Sequence, residues 1–155
     1  MILVADSSAL ITLAIVDQLH ILKSLFEKIY IPKAVCDEIT VKYKTEAIRL
    51  QNFCDGKVKV VNQNFVFPVS LGSGETEAMT LYKELHADFL LCDDKKARKY
   101  AESFSIHTVG SLGILLKAKE KGLIDTISPL LDILRKSDIF INEKLYKTVL
   151  KLAKE

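Results

Sequence analysis

The feature that most constrains the fold of this chain is the regular alternation of short apolar runs with longer helical patterns. Each apolar run is rich in β-branched or aromatic residues and ends at a polar break, which is typical of strands buried on both faces. The runs are MILVA, KIYIP, FLLC and IHTVG, with VKVV at residues 58–61 as a weaker fifth. Strands that alternate with helices predict a parallel sheet covered on both faces. We therefore predict an α/β fold, a three-layer α/β/α sandwich with a central, mostly parallel sheet.

The helical patterns lie between and after the predicted strands, and the third of them is long enough to be interrupted. They cover residues 8–15, 18–26, 33–53, 74–86, 95–104, 111–121, 126–135 and 143–154. The sequence has no low-complexity segment, internal repeat or Pro/Gly-rich linker. We therefore predict that residues 1–155 form a single domain, whose length suffices for a core without metal or disulfide support.

The apolar runs are too short for a membrane protein, because a membrane span needs roughly 18 uninterrupted apolar residues. The longest candidate, MILVADSSALITLAIV, is interrupted at residues 6–8, and it lacks the basic start and cleavage site of a signal peptide. The cysteines Cys36, Cys54 and Cys92 are far apart, which disfavours structural zinc. We expect a cytoplasmic protein with reduced thiols and no membrane association.

Acidic residues gather near the ends of the predicted strands, where α/β sheets bind their ligands. They are Asp6 after the first strand, Glu38 in the helix that Pro32 is predicted to start, Glu75 and Glu77 after the turn LGSG, and Asp93 and Asp94 after FLLC. Two carboxylates 4 Å apart repel by roughly 4 kcal/mol at an effective dielectric of 20. Converging acids must therefore raise their pKa values or hold a cation. Oxygen ligands without Cys or His suit Mg²⁺ or Mn²⁺.

Each acid also has a purely structural interpretation. Asp6 and Asp94 can cap the helices that follow them, and Glu38 can be an ordinary surface residue of a helix. Glu75 and Glu77 lie near a helix start, where a negative charge is favourable without any function. The glycines of LGSG are predicted to shape a tight turn that lets Glu75 point into the cleft.

Basic residues follow the acidic pair. The stretch from residue 95 to residue 121 holds seven basic residues against two acidic ones. The basic residues are Lys95, Lys96, Arg98, Lys99, Lys117, Lys119 and Lys121. This charge indicates either a solvated helix surface or a surface that faces a polyanion, with the first four as candidates for nucleic-acid backbone contact. The chain has no G-x-G-x-x-G or G-x-x-x-x-G-K-[ST] loop, so dinucleotide and P-loop sites are disfavoured.

Taken together with Asp6 and Glu38, the stretches G-x-G-E-x-E-A at 72–78 and D-D-x-x-A-R at 93–98 make the chain resemble a PIN domain. More narrowly, it resembles the small prokaryotic PIN-like proteins related to toxins of the VapC type. The similarity covers nearly the whole chain and includes VGSLGILLKAKEKGLI at 109–124. The resemblance implies a Mg²⁺- or Mn²⁺-dependent ribonuclease with an acidic cleft of about four carboxylates, acting on RNA, and a possible antitoxin partner.

The resemblance implies roles for the four main acids by their order along the chain. Asp6 corresponds to the first acid, Glu38 to the second, Glu75 to the third and Asp93 to the fourth. A metal ion between Asp6, Asp93 and a glutamate would then activate a bound water, and Glu38 would orient that water or a second ion.

Other residues are alternatives or departures. Glu77 is the rival third acid or an outer group, and Asp94 is an alternative fourth acid or a helix cap. Ser8 corresponds to a hydroxyl often found two residues after the first acid. Cys92 stands where many relatives have threonine, and a cysteine cannot replace the strong hydrogen bonds of a hydroxyl. The third acid is glutamate where the toxins commonly have aspartate.

These departures leave a second hypothesis open, a PIN-like nucleic-acid-binding or assembly module without turnover. A third, a receiver-like phosphoacceptor, is disfavoured because IHTVG offers no lysine. The last helical pattern carries Leu145, Val149 and Leu152 at helical spacing. That stripe is typical of a face that packs on the core, and a homodimer seam is the alternative.

Overall fold

The structure is a computed structural model that describes residues 1–42, 45–62, 67 and 70–155. Its described part contains a five-stranded sheet in the order β3-β2-β1-β4-β5, and all neighbouring strands are parallel. The strands are β1 (Ile2–Ala5), β2 (Lys28–Pro32), β3 (Val58–Lys59), β4 (Phe89–Leu91) and β5 (Thr108–Val109). The predicted three-layer α/β/α sandwich is confirmed. The assignment of residues 1–155 to one domain stays a prediction.

The helices follow the predicted patterns closely. They are α1 (Ser7–Ile15), α2 (His20–Leu25), α3 (Lys33–Lys42), α4 (Ala47–Cys54), α5 (Ser73–Leu85), α6 (Lys95–Ser103), α7 (Ser111–Glu120), α8 (Ser128–Arg135) and α9 (Glu143–Leu152). The long third pattern is thus two helices. Pro32 does not begin α3, because it ends β2, where it pairs with Lys59 of β3.

Alternate residues of the central strands pack on opposite faces of the sheet. Leu3 and Ala5 of β1 belong to the larger core, which includes α1, α2, α7 and α8. Val4 belongs to the smaller core, which α5 and α6 cover. Burial on both faces therefore holds for β1, whereas the two-residue edge strands β3 and β5 stay partly exposed. Parallel pairing brings the carboxyl ends of β1, β2 and β4 to one edge of the sheet.

The C-terminal helix α9 packs on the larger core through Val149, whereas Leu145 and Leu152 of the same predicted stripe are exposed. Glu155 accepts hydrogen bonds from the backbone N–H groups of Ile127 and Ser128, 2.7 and 3.0 Å away. These contacts tie α9 to the start of α8. Of the predicted stripe, only Val149 is buried, so the stripe packs on the core in part. None of the helices described is long and apolar enough to cross a lipid bilayer.

Candidate functional site

Asp6 is the buried acid at the carboxyl end of β1. Its backbone N–H donates to Leu91 O of β4 at 2.9 Å, which continues the strand pairing by one residue. Asp6 is the N-cap residue of α1, but its side chain makes no capping hydrogen bond. The side chain is only 2% exposed, and the Cys92 thiol donates to Oδ2 at 3.5 Å. In the part of the chain that the structure describes, Oδ1 of Asp6 is buried without a hydrogen-bond partner.

The surroundings of Asp6 disfavour its charged form. Burial is the main cause that raises the pKa of Asp6 to about 6, and the carboxylates of Glu75 and Glu38 raise it further. The backbone N–H of Ser7 and the Cys92 thiol act in the opposite direction. Three predicted acids from three separate segments therefore influence one another. An unpaired buried carboxylate of this kind is a common property of functional sites.

Glu38 of α3 and Glu75 of α5 lie beside Asp6. Both line a cavity of about 330 Å³ together with Ser7. The start of α5 comes close to them because residue 74 is glycine. A Cβ at Gly74 would lie 3.2 Å from Oε2 of Glu38 and 4.0 Å from Oδ1 of Asp6.

Glu75 has a structural role in addition to its position in the cavity. It occupies the third position of α5, and its Oε2 accepts the backbone N–H of Gly72 at 2.7 Å. This bond is the one that the glutamate of a capping box makes, although Gly72 has no side chain for the other half, and it fixes the carboxylate at the helix start. Glu75 thereby lines the same cavity as Glu38.

Asp93 reaches the same edge of the sheet at the end of β4, but its carboxylate is already bonded. Its Oδ1 accepts the Ser111 backbone N–H and its Oδ2 accepts the Ser111 hydroxyl, both at 2.6 Å. The Asp93 backbone N–H donates to Oγ of Ser8 at 3.0 Å. The hydroxyl of Ser8 therefore joins α1 to the end of β4, whereas the Asp93 carboxylate contacts the start of α7.

The two alternative acids both cap helices. Oδ1 of Asp94 accepts the Ala97 backbone N–H at 2.8 Å, which makes Asp94 the N-cap of α6. Oε2 of Glu77 accepts the Ala34 backbone N–H at 3.1 Å, near the start of α3. These bonds account for both side chains without a metal ion. The assignment of either residue as a ligand stays a prediction.

The four basic residues after the acidic pair lie at the start of α6, but they do not form one surface. Lys95 and Arg98 line a groove of about 500 Å³ together with Asp93. Lys96 donates to the backbone oxygen of Ser70 at 3.3 Å, and Lys99 is exposed to solvent.

The remaining basic residues of the 95–121 stretch lie elsewhere. Lys117 and Lys121 line a cavity with Met1, beside the amino end of β1. Lys119 forms a salt bridge of 2.8 Å with Glu155. The basic residues are thus divided between the two ends of the parallel strands, because α7 runs away from the carboxyl ends, where the acids lie.

A family model described as a PIN domain matches residues 2–155. The chain belongs to the PIN-domain family. PIN domains are generally nucleases that bind nucleic acids and typically use divalent metal ions. No curated protein and no solved structure matches the chain significantly. The narrower resemblance to toxins of the VapC type stays a prediction.

Ser111, the main partner of Asp93 in this PIN domain, is not among the residues predicted from the sequence. Ser111 is 1% exposed and is the first residue of α7, directly after β5 and Gly110. Ligand sites lie at the carboxyl ends of parallel strands, and this position is one of them. The signal that could have identified it is the polar residue in VGSLG, directly after a predicted strand.

The donor set of this PIN domain fits a hard cation on the Asp6 side. Asp6, Glu38 and Glu75 offer carboxylate oxygens, the ligands that Mg²⁺ and Mn²⁺ prefer. No residue that the structure describes donates a hydrogen bond to the buried Oδ1 of Asp6, so none of them would compete with an ion there. Within the described ranges, however, no group of three or more His, Cys, Asp or Glu side chains is drawn together to hold a metal ion. In the described part of the chain, Asp6, Glu38 and Glu75 are thus near one another without converging on one point, and the Asp93 carboxylate is bonded to Ser111.

Proposed function

We propose that this PIN domain is a Mg²⁺- or Mn²⁺-dependent endoribonuclease that hydrolyses phosphodiester bonds of RNA. The observation that carries the proposal is the Asp6 carboxylate, which is 2% exposed and has one oxygen without a hydrogen bond from any described residue. Burying such a group costs free energy unless a positive charge compensates it. Since Glu38 and Glu75 add negative charge beside it, a divalent cation is the natural partner.

The proposed ligands are Asp6 and Glu75, with Asp93 as the carboxylate for which Ser111 and the cation compete. A divalent ion bound there supplies an activated water and neutralises charge on the phosphate. Glu38 lines the same cavity as Glu75, and we assign it the orientation of the attacking water. Ser8 keeps the end of β4 in place through the Asp93 backbone.

The nucleic-acid backbone would bind at the start of α6. Lys95 and Arg98 line a groove that also contains Asp93, so a phosphate held by them lies next to the acids. Such contacts position the substrate without reading its bases. Lys96 and Lys99 are the remaining candidates from the sequence, and they would add to the long-range attraction.

The decisive experiment is a cleavage assay with labelled single-stranded and hairpin RNA in Mn²⁺, Mg²⁺ or EDTA. We expect cleavage that EDTA abolishes and that Asp6→Asn lowers about a hundredfold or more, the scale for losing a preorganised electrostatic group. The matched control is Asp125→Asn, which changes an exposed aspartate outside the site. Cleavage by Asp6→Asn at the wild-type rate would overturn the proposal.

A second candidate function is a nucleic-acid-binding or assembly module with little or no turnover. The observation that favours it is the saturation of the Asp93 carboxylate by Ser111. RNA binding by the wild-type protein without cleavage in either metal ion would select this candidate.

The most specific parts of the proposal are the toxin role, the antitoxin partner, a homodimer and the cytoplasmic location. They are based on the sequence and on the resemblance to toxins of the VapC type. Expression in a bacterial host tests the toxin role. We expect growth arrest by the wild type but not by Asp6→Asn, and rescue by a small DNA-binding protein encoded next to the gene. Growth of both strains at the same rate would remove the toxin assignment while leaving the nuclease proposal in place.

A further inference from the structure

A groove of about 500 Å³ adjoins the candidate site on the side of Asp93. We name it the α6–α9 groove, because its walls are the start of α6, the start of α7 and residues 139–141 before α9. Asp93, Lys95 and Arg98 form its polar end, and Ile139, Phe140 and Ile141 belong to its apolar side. The groove therefore runs from a carboxylate of the proposed active site to an apolar wall.

The apolar wall ends in an aromatic ring that faces water. Phe140 is 86% exposed, the highest value among the large apolar side chains of the described residues. Its neighbours Ile139 and Ile141 pack against the larger core, and the Ile139 backbone N–H donates to Oγ of Ser137 at 3.1 Å. The segment is thus anchored on both sides of Phe140. An anchored, exposed aromatic ring is a suitable stacking surface for an unpaired base.

The polar end of the groove carries two cations, Lys95 and Arg98, beside the single carboxylate of Asp93. Among the salt bridges of the described residues, none includes Lys95 or Arg98. Nη1 of Arg98 is held near the groove wall, since a Cβ at Gly110 would lie 3.0 Å from it. This pairing of positive charge with an aromatic ring is typical of single-strand nucleic-acid binding.

We propose that the α6–α9 groove binds one unpaired nucleotide of the RNA next to the scissile phosphate. Its base stacks on Phe140, and its phosphate contacts Lys95 and Arg98. The inference rests on the proposed ribonuclease function. It adds a substrate preference, because a base inside a duplex is stacked on its neighbours and is not available to Phe140.

The charge of the groove favours RNA over a peptide or a second copy of the chain. Lys95 and Arg98 line the groove together with Asp93, where a phosphate has to approach for cleavage. A purely apolar partner would leave these cations buried and unpaired, which is costly. The continuity of the groove with Asp93 gives the bound nucleotide a defined place relative to the reacting phosphate.

The first experiment measures stacking without cleavage. Single-stranded RNA that carries 2-aminopurine at successive positions is titrated with wild type, Phe140→Ala and Phe140→Trp in EDTA. We expect quenching at one position with wild type and Phe140→Trp, and its loss with Phe140→Ala. The affinity of Phe140→Ala should fall about 5- to 150-fold, the range of one stacked base. Ile48→Ala is the control, because Ile48 is 71% exposed and does not line the groove.

The second experiment identifies the nucleotide. The affinities of wild type and Phe140→Ala are measured for a set of RNAs, each of which lacks the base at one position. At the position that stacks, base removal should weaken binding to wild type but not to Phe140→Ala. The unfolding temperatures of wild type and Phe140→Ala should agree, because the exposed ring contributes little to the core.

Three outcomes would overturn the inference. They are unchanged 2-aminopurine fluorescence, equal sensitivity of both proteins to base removal at every position, and dissociation of a dimer by Phe140→Ala with unchanged RNA binding. The last outcome would assign the groove to a second copy. If wild type still cleaves RNA in Mn²⁺ when one of these outcomes is found, only the nucleotide site is rejected and the ribonuclease proposal stands. If wild type does not cleave RNA but the 2-aminopurine quenching is as expected, the ribonuclease proposal is rejected and the nucleotide site stands.

Discussion

The candidate site has two halves that treat their aspartates in opposite ways. In the Asp6 half, formed by the end of β1 with α3 and α5, the carboxylate is buried, and among the described residues one of its oxygens has no hydrogen-bond partner. In the Asp93 half, formed by the end of β4 with α7, both oxygens accept hydrogen bonds from Ser111, and Lys95 and Arg98 line the same groove. In the part of the chain that the structure describes, the first carboxylate is thus left unsatisfied, whereas the second is satisfied by hydrogen bonds.

This difference indicates how the site would respond to a cation. An ion that binds the Asp6 half gains its full interaction with an unsatisfied carboxylate. At the Asp93 half it must compete with two short hydrogen bonds. We therefore expect the Asp6 half to determine affinity and the Asp93 half to adjust it.

The largest expected effect is the pH dependence of stability that Asp6 causes. Its pKa of about 6 in the folded protein exceeds its ordinary value of 3.8. As the pH rises from about 4 to above 6, the unfolded state releases this proton first, so stability falls. Between pH 4 and pH 7 the fall amounts to about 2 kcal/mol, because part of the full effect lies below pH 4. Asp6→Asn removes this contribution. Urea unfolding in EDTA should therefore show that wild type loses about 2 kcal/mol more than Asp6→Asn between pH 4 and pH 7.

Adding Mn²⁺ tests whether a cation changes the pH dependence of stability that distinguishes wild type from Asp6→Asn. A bound cation favours the charged form of Asp6. Mn²⁺ should therefore reduce the extra stability that wild type loses between pH 4 and pH 7, and it should leave the stability of Asp6→Asn unchanged. Equal pH profiles of the two proteins in EDTA would show that Asp6 is not an unsatisfied buried acid.

The second prediction concerns Ser111→Ala, which removes the hydroxyl that binds Oδ2 of Asp93. We expect a loss of about 1–2 kcal/mol in the free energy of unfolding, since Asp93 is only partly buried. Affinity for Mn²⁺, followed by calorimetry, should rise because the carboxylate is freer to bind an ion. Ser103→Ala is the control, since its hydroxyl donates to Tyr100 O on the exposed side of α6. Weaker Mn²⁺ binding would mean that Ser111 positions Asp93 for the metal.

The third prediction uses one glycine from each half. A Cβ at Gly74 would lie 3.3 Å from Cγ2 of the buried Val35, so Gly74→Ala should cost about 1 kcal/mol. At Gly110 the crowded atoms are the flexible end of Arg98, 3.0 Å away, and Oδ1 of Asp93, 3.1 Å away, and both residues line the proposed RNA groove, so Gly110→Ala should affect RNA binding more than stability. Gly113→Ala is the control, with an ordinary contact of 3.5 Å and a gain in helix propensity. Chemical unfolding and RNA titration measure both effects, and the reverse ranking would contradict the contacts.

The sequence predicted the position of the two halves but not their difference. Short apolar runs determine β1 and β4, and the rule for strand ends then places Asp6 and Asp93 at one edge. The direction of a side chain depends on tertiary partners, however. Asp93 is bonded to a residue 18 positions away, and Glu77 to one 43 positions away. No local pattern carries that information, so Ser111 was missed and Glu77 stayed ambiguous beside Glu75.

The smallest expected effect separates Glu75 from Glu77. Glu77→Gln weakens the bond that Oε2 makes with the Ala34 backbone N–H at the start of α3. We expect a loss of about 0.5–1 kcal/mol in stability, the usual value of a helix cap, with unchanged Mn²⁺ affinity and cleavage. Glu75→Gln also weakens a cap, to Gly72, but it removes a charge that raises the pKa of Asp6. It should therefore lower Mn²⁺ affinity and cleavage at a similar cost in stability. If Glu77→Gln were instead the variant that loses Mn²⁺ binding, the third acid would be Glu77, and the Asp6 half would have to extend toward the start of α3.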